Sequence, residues 1–136
     1  MPKETRSTLT RKVDKWFSQY IRLRDTDDNG YGPCVTCGKT VFWKKADAGH
    51  FRTRAHLVTR WDERNVNLQC KYCNGPRAGM QYEHGCRIDQ LYGDGTARKL
   101  SDLSVGLARF GMNDLRVMAR TYQTRTRELL DAKQME

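Results

Sequence analysis

No stretch of the 136-residue chain approaches the ~20 consecutive apolar residues that a membrane-spanning helix needs, so no membrane association is expected. The opening MPKETRSTLT has no apolar run behind it and therefore lacks the plan of a secretory signal. No internal repeat or low-complexity tract is present. Mean hydropathy is −0.84, which leaves material for only a small core. Acidic residues are scarce: 16 Asp+Glu face 25 Lys+Arg, for a net charge of +9. Aromatic residues are not scarce, and three Trp, six Tyr and four Phe exclude disorder throughout. The length admits one small domain with an appended arm, and not two independent domains.

A basic excess of this size makes a polyanion the default partner. Its placement sharpens that reading. Residues 1–24 carry seven basic and two acidic side chains, residues 34–77 nine and three, and residues 78–136 nine and eight. The positive field therefore belongs to the N-terminal arm and the central segment. Leu9, Val13, Trp16, Phe17, Tyr20 and Ile21 recur at three- and four-residue steps and predict an amphipathic helix over about Thr8–Arg24, capped by Ser7 or Thr8. Arg11, Lys12 and Lys15 lie on or near its polar face. The acidic, turn-rich Asp25–Gly30 ends it. Val41–Trp43 and Ala48–Phe51 read as the two strands of a hairpin. Helical pattern returns after Pro76 through Tyr82, Ile88, Leu91 and Tyr92, breaks at Gly93-Asp-Gly95, and resumes over about Ala97–Phe110 and Asn113–Gln134. The last stretch carries Arg116, Arg120, Arg125 and Arg127 beside an apolar stripe.

Cys34 and Cys37 form one C-x2-C pair, and Cys70 and Cys73 a second. A two-residue spacing lets the chain fold back so that both thiolates face one ion, and two such pairs complete the tetrahedron that Zn²⁺ prefers. Disulfides are the alternative, which reduced thiols in a chain without a signal oppose. The gap between the pairs exceeds the roughly 15–20 residues of a compact zinc ribbon, so something is threaded through it. Cys86, the fifth cysteine, reads as a small apolar side chain packed in the following helix and not as a ligand.

The insert contains Asp47-Ala-Gly-His50-Phe, then Arg52, Arg54, His56 and Arg60, then Arg64-Asn65-Val-Asn-Leu-Gln before Cys70, with Asn74 directly after Cys73. His50, Asn65 and Asn74 in this order resemble the His–Asn–His/Asn series of zinc-knuckled HNH nucleases, members of the ββα-metal or His-Me finger superfamily. The run from Ala46 through Arg54, with Arg60–Val66 and Gln69–Asn74, is similar to the NinG (Rap) family of phage recombination endonucleases. The resemblance spans about residues 10–95 and is most specific over 46–74. The same knuckle plan is similar to that of phage endonuclease VII.

The resemblance implies an α+β fold: a zinc-knuckle-stabilised ββα-metal core over residues 31–95, preceded by a basic helix and turn (1–30) and followed by a helical segment (96–136). It implies an HNH-type endodeoxyribonuclease cutting branched recombination intermediates such as Holliday junctions and D-loops, leaving 5′-phosphate and 3′-hydroxyl ends. His50 would be the general base, since an unperturbed imidazole titrates near neutrality. Asn74, and Asp47 as the nearest carboxylate, would hold a catalytic Mg²⁺ or Mn²⁺. Residues three apart on a regular strand face opposite ways, so Asp47 and His50 call for a turn between them. Asn65 would orient the base through backbone hydrogen bonds. Arg52, Arg54 and Arg60, with His56 and the N-terminal Arg11, Lys12 and Lys15, would grip DNA phosphates. Asn74 as a helix N-cap and the arginines as a solvated face are the plainer readings. A homodimer would supply the two active sites that paired nicks require, with the terminal helices as its surface unless their stripes cover the core. Host cytoplasm is the expected compartment. The alternatives are an HNH nuclease acting on ordinary duplex (homing, restriction or packaging) and a non-catalytic zinc DNA-binding module.

Overall fold

The computed structural model describes residues 3–136. The first helix, α1, runs Arg6–Arg24. It is capped two residues earlier than expected, at Thr5. Thr5 Oγ1 accepts from Thr8 N–H and Thr8 Oγ1 accepts from Thr5 N–H, at 3.1 and 2.9 Å. This reciprocal pair satisfies donors that a helix start otherwise leaves open. The long C-terminal helix, α6, runs Met112–Ala132. The two helices lie parallel: Phe17 meets Tyr122 edge-on with ring centroids 4.9 Å apart, Arg6 donates to Phe110 O, and Lys133 Nζ donates to Thr26 O.

Leu9, Val13, Phe17 and Ile21 of α1 are buried with Leu115, Ala119 and Tyr122 of α6, and Trp61 and Val66 of the central segment complete the cluster. One apolar core thus draws on all three segments of the chain. The apolar stripes of α1 and α6 face each other in this cluster.

Strands β1 (Tyr31–Pro33) and β2 (Thr40–Phe42) pair antiparallel, as do β3 (Ala46–His50) and β4 (Val66–Cys70). The expected hairpin of Val41–Trp43 with Ala48–Phe51 does not form. Those segments belong to different ribbons, joined by a 3-10 turn at Trp43–Lys45. Trp43 is buried there, and that turn carries the chain from one ribbon to the other. No turn separates Asp47 from His50 either, since both sit in the regular ladder of β3, opposite Gln69 and Val66.

All five residues of β4 are buried, including Asn67 and Gln69. Arg24, at the end of α1, is clamped on Asp25 at 2.7 and 3.0 Å and donates to Val66 O and Asn67 Oδ1. Asp25 Oδ2 accepts from Leu68 N–H. These bonds pin the C-terminus of α1 to β4 and give the buried Asn67 side-chain oxygen a partner.

Four further helices are α2 (Leu57–Arg60), α3 (Lys71–Asn74), α4 (Gln81–Tyr92) and α5 (Thr96–Ser104). The helix expected to reach Phe110 stops at Ser104, just before Gly106. Cys86 is exposed on α4, contrary to its expected packing. Among the described residues, no helix is long and apolar enough to cross a membrane. The observed fold is a mixed α+β arrangement braced at one end by four cysteines.

Candidate active site and metal centre

The chain crosses itself where β1 ends, β4 ends and α3 begins, and there the four thiols converge. The Sγ atoms of Cys34, Cys37, Cys70 and Cys73 lie within 4.8 Å of one another, with Cys37 and Cys70 3.9 Å apart. A tetrahedron with Zn–S bonds of about 2.3 Å has S···S edges of about 3.8 Å, so the cluster fits one zinc ion. Gly38 turns the first knuckle at φ +78°, a region open to glycine without strain. Backbone amides point at the sulfurs: Cys70 N–H at Cys34 Sγ and Cys73 N–H at Cys70 Sγ, at 3.3 and 3.4 Å. Burial works to raise the Cys34 thiol, but backbone N–H donors of Cys37 and Cys70 bring it down to about 6. Burial pushes the Cys73 thiol up to about 12. Full deprotonation of the set therefore depends on a bound cation.

Beside this brace, a cleft of about 640 Å³ opens between α1, β3, α3 and the following loop. Asp14, Ser18 and Arg22 border it from α1, and Asp47, His50, Arg54, Lys71 and Asn74 from the central segment. Ala46, Asp47, Ala48 and His50 all reach it although they alternate in facing. The cleft runs along the unpaired edge of a two-stranded ribbon, so both faces border it, and no turn is needed.

His50 closes β3. Its Nε2 lies 2.9 Å from Arg60 O, a carbonyl that can only accept, so Nε2 carries the proton and Nδ1 is left with a lone pair. Burial lowers the pKa of the imidazole, Arg54 and Arg60 push the same way, and the bond to Arg60 O and the charge of Asp14 act against them. The ring is neutral at pH 7 and can accept a proton at Nδ1.

Asn65 is fully buried beneath the loop that follows His50. Its amide donates to Arg52 O and Thr59 O at 2.9 and 3.0 Å, and its Oδ1 accepts from Arg52 N–H at 2.8 Å. Three bonds from one side chain tie both ends of the 52–59 loop to the residue that leads into β4.

Asn74 is not a helix N-cap. It ends α3, and its Nδ2 donates to Asp47 Oδ2 at 3.0 Å. Lys71 Nζ sits 2.7 Å from Asp47 Oδ1. Although burial opposes it, the bonds from Lys71 and Asn74 hold the Asp47 carboxyl below its usual range. A carboxylate and an amide thus stand side by side, with a cation already on one oxygen. Lys71 is 65% exposed, so it can withdraw and leave that oxygen to a hard divalent ion. Gly49 occupies the position just before His50 because a side chain there would collide with Gln69, whose Oε1 would lie 2.1 Å from an added Cβ.

The expected phosphate clamps divide. Arg54 is 62% exposed at the cleft rim. Arg60 does not reach a ligand there, being engaged through Nε and Nη2 on Asp14 at 3.1 and 2.5 Å. Arg52 turns away to Ser104 Oγ and to His56 Nε2, which removes His56 from the cleft as well. Each makes polar contacts that burial requires, and these outweigh exposure to solvent. Arg11, Lys12 and Lys15 are exposed along α1.

Two residues were not visible as important in the sequence. Asp14 is the one acid of α1, and its signal was that isolation among lysines and arginines. His84 of α4 had no signal at all. It is fully buried, with Nε2 accepting from Asn67 Nδ2 at 3.1 Å, and burial, then neighbouring His50, lower its pKa to about 4. The unfolded chain takes up this proton near the ordinary value of 6.5, so the stabilisation is complete above that pH. It is lost as pH falls from about 6.5 to about 4, by about 3 kcal/mol in all. Urea titrations of wild type and His84→Gln across this window should diverge by that amount, and parallel curves would remove the assignment.

A profile of the NinG family, described as the bacteriophage lambda NinG protein, matches residues 3–132. Protein ninG of Escherichia phage 933W is 27% identical over 129 residues, covering 94% of this chain and 61% of its own length. The counterpart in Salmonella phage P22 shows the same identity and coverage. That of Enterobacteria phage H19B is 37% identical over 75 residues, 54% of this chain and 35% of its own length. The chain thus spans about three fifths of the length of the first two relatives, 61% in each. No solved structure matches it. With 130 of its residues under one family model (3 to 132 inclusive) and 94% of its length similar to part of phage proteins of that name, the chain belongs to the NinG family.

Proposed function

We propose that this protein is a metal-dependent, structure-specific DNA endonuclease that cuts branched recombination intermediates. The observation that carries the reading is the bond between His50 Nε2 and Arg60 O, which leaves Nδ1 free on a neutral imidazole bordering a cationic cleft. On this reading β3, β4 and α3 form a ββα-metal unit of the HNH type, with the zinc brace holding α3 against the strands. Asp47 and Asn74 would hold Mg²⁺ or Mn²⁺. When bound, that ion supplies positive charge to the scissile phosphate and to the leaving oxygen.

The chain's own residues do the rest. Arg54, Lys44 and Arg22 border the cleft and draw in the phosphate backbone. His50 Nδ1 takes the proton from a water molecule as its oxygen attacks phosphorus. The bond between phosphorus and the 3′ oxygen breaks and that oxygen takes a proton from solvent, leaving 5′-phosphate and 3′-hydroxyl ends. Asn65 keeps the loop behind the base from shifting. Arg11 and Lys15 continue the line of Ser18 and Arg22 along α1 at helical spacing, which offers a second duplex arm a basic track. Paired nicks across a junction call for two copies of the protein.

The test is cleavage of a four-way junction, a Y-fork and a linear duplex with Mg²⁺ or Mn²⁺, then with EDTA. Preferential cutting of the branched substrates, abolished by EDTA, is expected. Equal cutting of linear DNA would replace branch specificity with action on ordinary duplex. Tight binding with no cutting in either metal would make the protein a zinc-dependent DNA-binding module.

A further inference from the structure

We propose that Asp14 is a positioning residue for His50, acting through Arg60 so that the imidazole presents Nδ1 to the cleft. The catalytic meaning rests on the endonuclease reading; the structural part does not.

Helix α2 is a single turn of four residues. Its last carbonyls have no helical partner, which leaves Arg60 O free to accept from His50. A helix so short cannot hold that carbonyl in place by its own hydrogen bonds. Two outside contacts do so. From below, Asn65 Nδ2 binds the adjacent Thr59 O at 3.0 Å. From α1, Asp14 grips the Arg60 side chain with both oxygens, Oδ1 on Nε at 3.1 Å and Oδ2 on Nη2 at 2.5 Å. Asp14 Oδ1 also accepts from Trp61 Nε1 at 2.9 Å, so consecutive residues are fastened by one carboxylate. Arg60 lies over the Trp61 ring, and Trp61 packs edge-on against Phe110. The segment is therefore fixed laterally as well as from beneath.

Asp14 borders the cleft, but it is not free to serve as a metal ligand. Its oxygens already take three donors, and Arg54 stands 3.7 Å away. An ordinary surface ion pair is a poor description too, since the side chain is 17% exposed. The groups facing His50 are Asp14 from α1, Arg54 from the loop, Arg60 from α2 and His84 from α4. Asp14 is the one anion among them, so it also balances the guanidinium charges beside the base.

The chain has three histidines, which makes ¹⁵N-histidine NMR of the zinc-loaded protein readily assignable. Wild type should show His50 as the Nε2–H tautomer without DNA present. Asp14→Asn, and Arg60→Met as a second variant cutting the same link from the other side, should convert it to a mixture of tautomers. Junction cleavage should fall about 10- to 100-fold, in kcat with KM for the junction little changed. Zinc content and helicity should match wild type in at least one of the two. An unaltered His50 tautomer in a folded variant overturns the proposal, as does an altered tautomer with wild-type cleavage. If wild type cuts no DNA, the endonuclease reading falls while the NMR result still decides the role of Asp14.

Discussion

Replacing His50 by alanine should slow cleavage by about 10²- to 10⁴-fold, the range over which a positioned general base contributes. The effect is expected in the chemical step, because no other neutral imidazole borders the cleft: His84 is buried beneath β4 and His56 is turned to Arg52. Junction affinity should persist, since Arg54, Lys44 and Arg22 remain at the cleft. The fold should persist as well. Truncation leaves Arg60 O without its donor, at a cost of about 1–3 kcal/mol. The pH profile of wild type adds a second check. Burial lowers the His50 pKa, so the base stays deprotonated to a pH below the ordinary imidazole range, and cleavage should decline only beneath it. A variant that folds, binds zinc and cuts at the wild-type rate would remove His50 from the mechanism.

Cys70→Ser should abolish cleavage together with zinc binding. Cys70 stands where β4 passes into α3, and its sulfur both joins the cluster and caps α3 by accepting from Cys73 N–H. Structural zinc contributes about 10–16 kcal/mol of apparent binding energy in small domains, as much as the whole stability of a typical fold. Without it, α3 is left on β3 by the bonds of Lys71 and Asn74 to Asp47, two side-chain contacts that do not fix the backbone register of Asp47 beside Asn74. The α1–α6 pair has an apolar cluster that contains no cysteine, so part of the helical signal should survive. Metal analysis with far-UV circular dichroism and amide exchange would show this: no zinc, residual helix, and lost protection in β3 and β4. A zinc-free variant with both strands protected and cleavage intact would contradict the assignment.

Gln69 and Gly49 show why the strand region resisted sequence reading. β4 alternates apolar and polar residues, which ordinarily marks one face as solvated. Here both faces are covered, because Asn67 and Gln69 find partners in His84, Arg24, Thr36 and the Gly79 carbonyl. Those partners come from elements tens of residues apart, and no local pattern announces them. The same holds for the arginines between the knuckles. Their charge is plain in the sequence, but whether each guanidinium meets solvent or Asp14 depends on where α1 lies.

The two C-x2-C pairs and the apolar spacing of α1 and α6 needed only the sequence, because both properties act over a few residues: a fixed short span aims two sulfurs at one point, and a helical period places side chains on one face. Which strands pair, which cations are neutralised, how His50 is oriented and that Asp14 stands behind it were decided only in the folded chain. Each depends on contacts between distant segments, and the energy of those contacts is set by burial and mutual geometry that spacing along the chain does not encode.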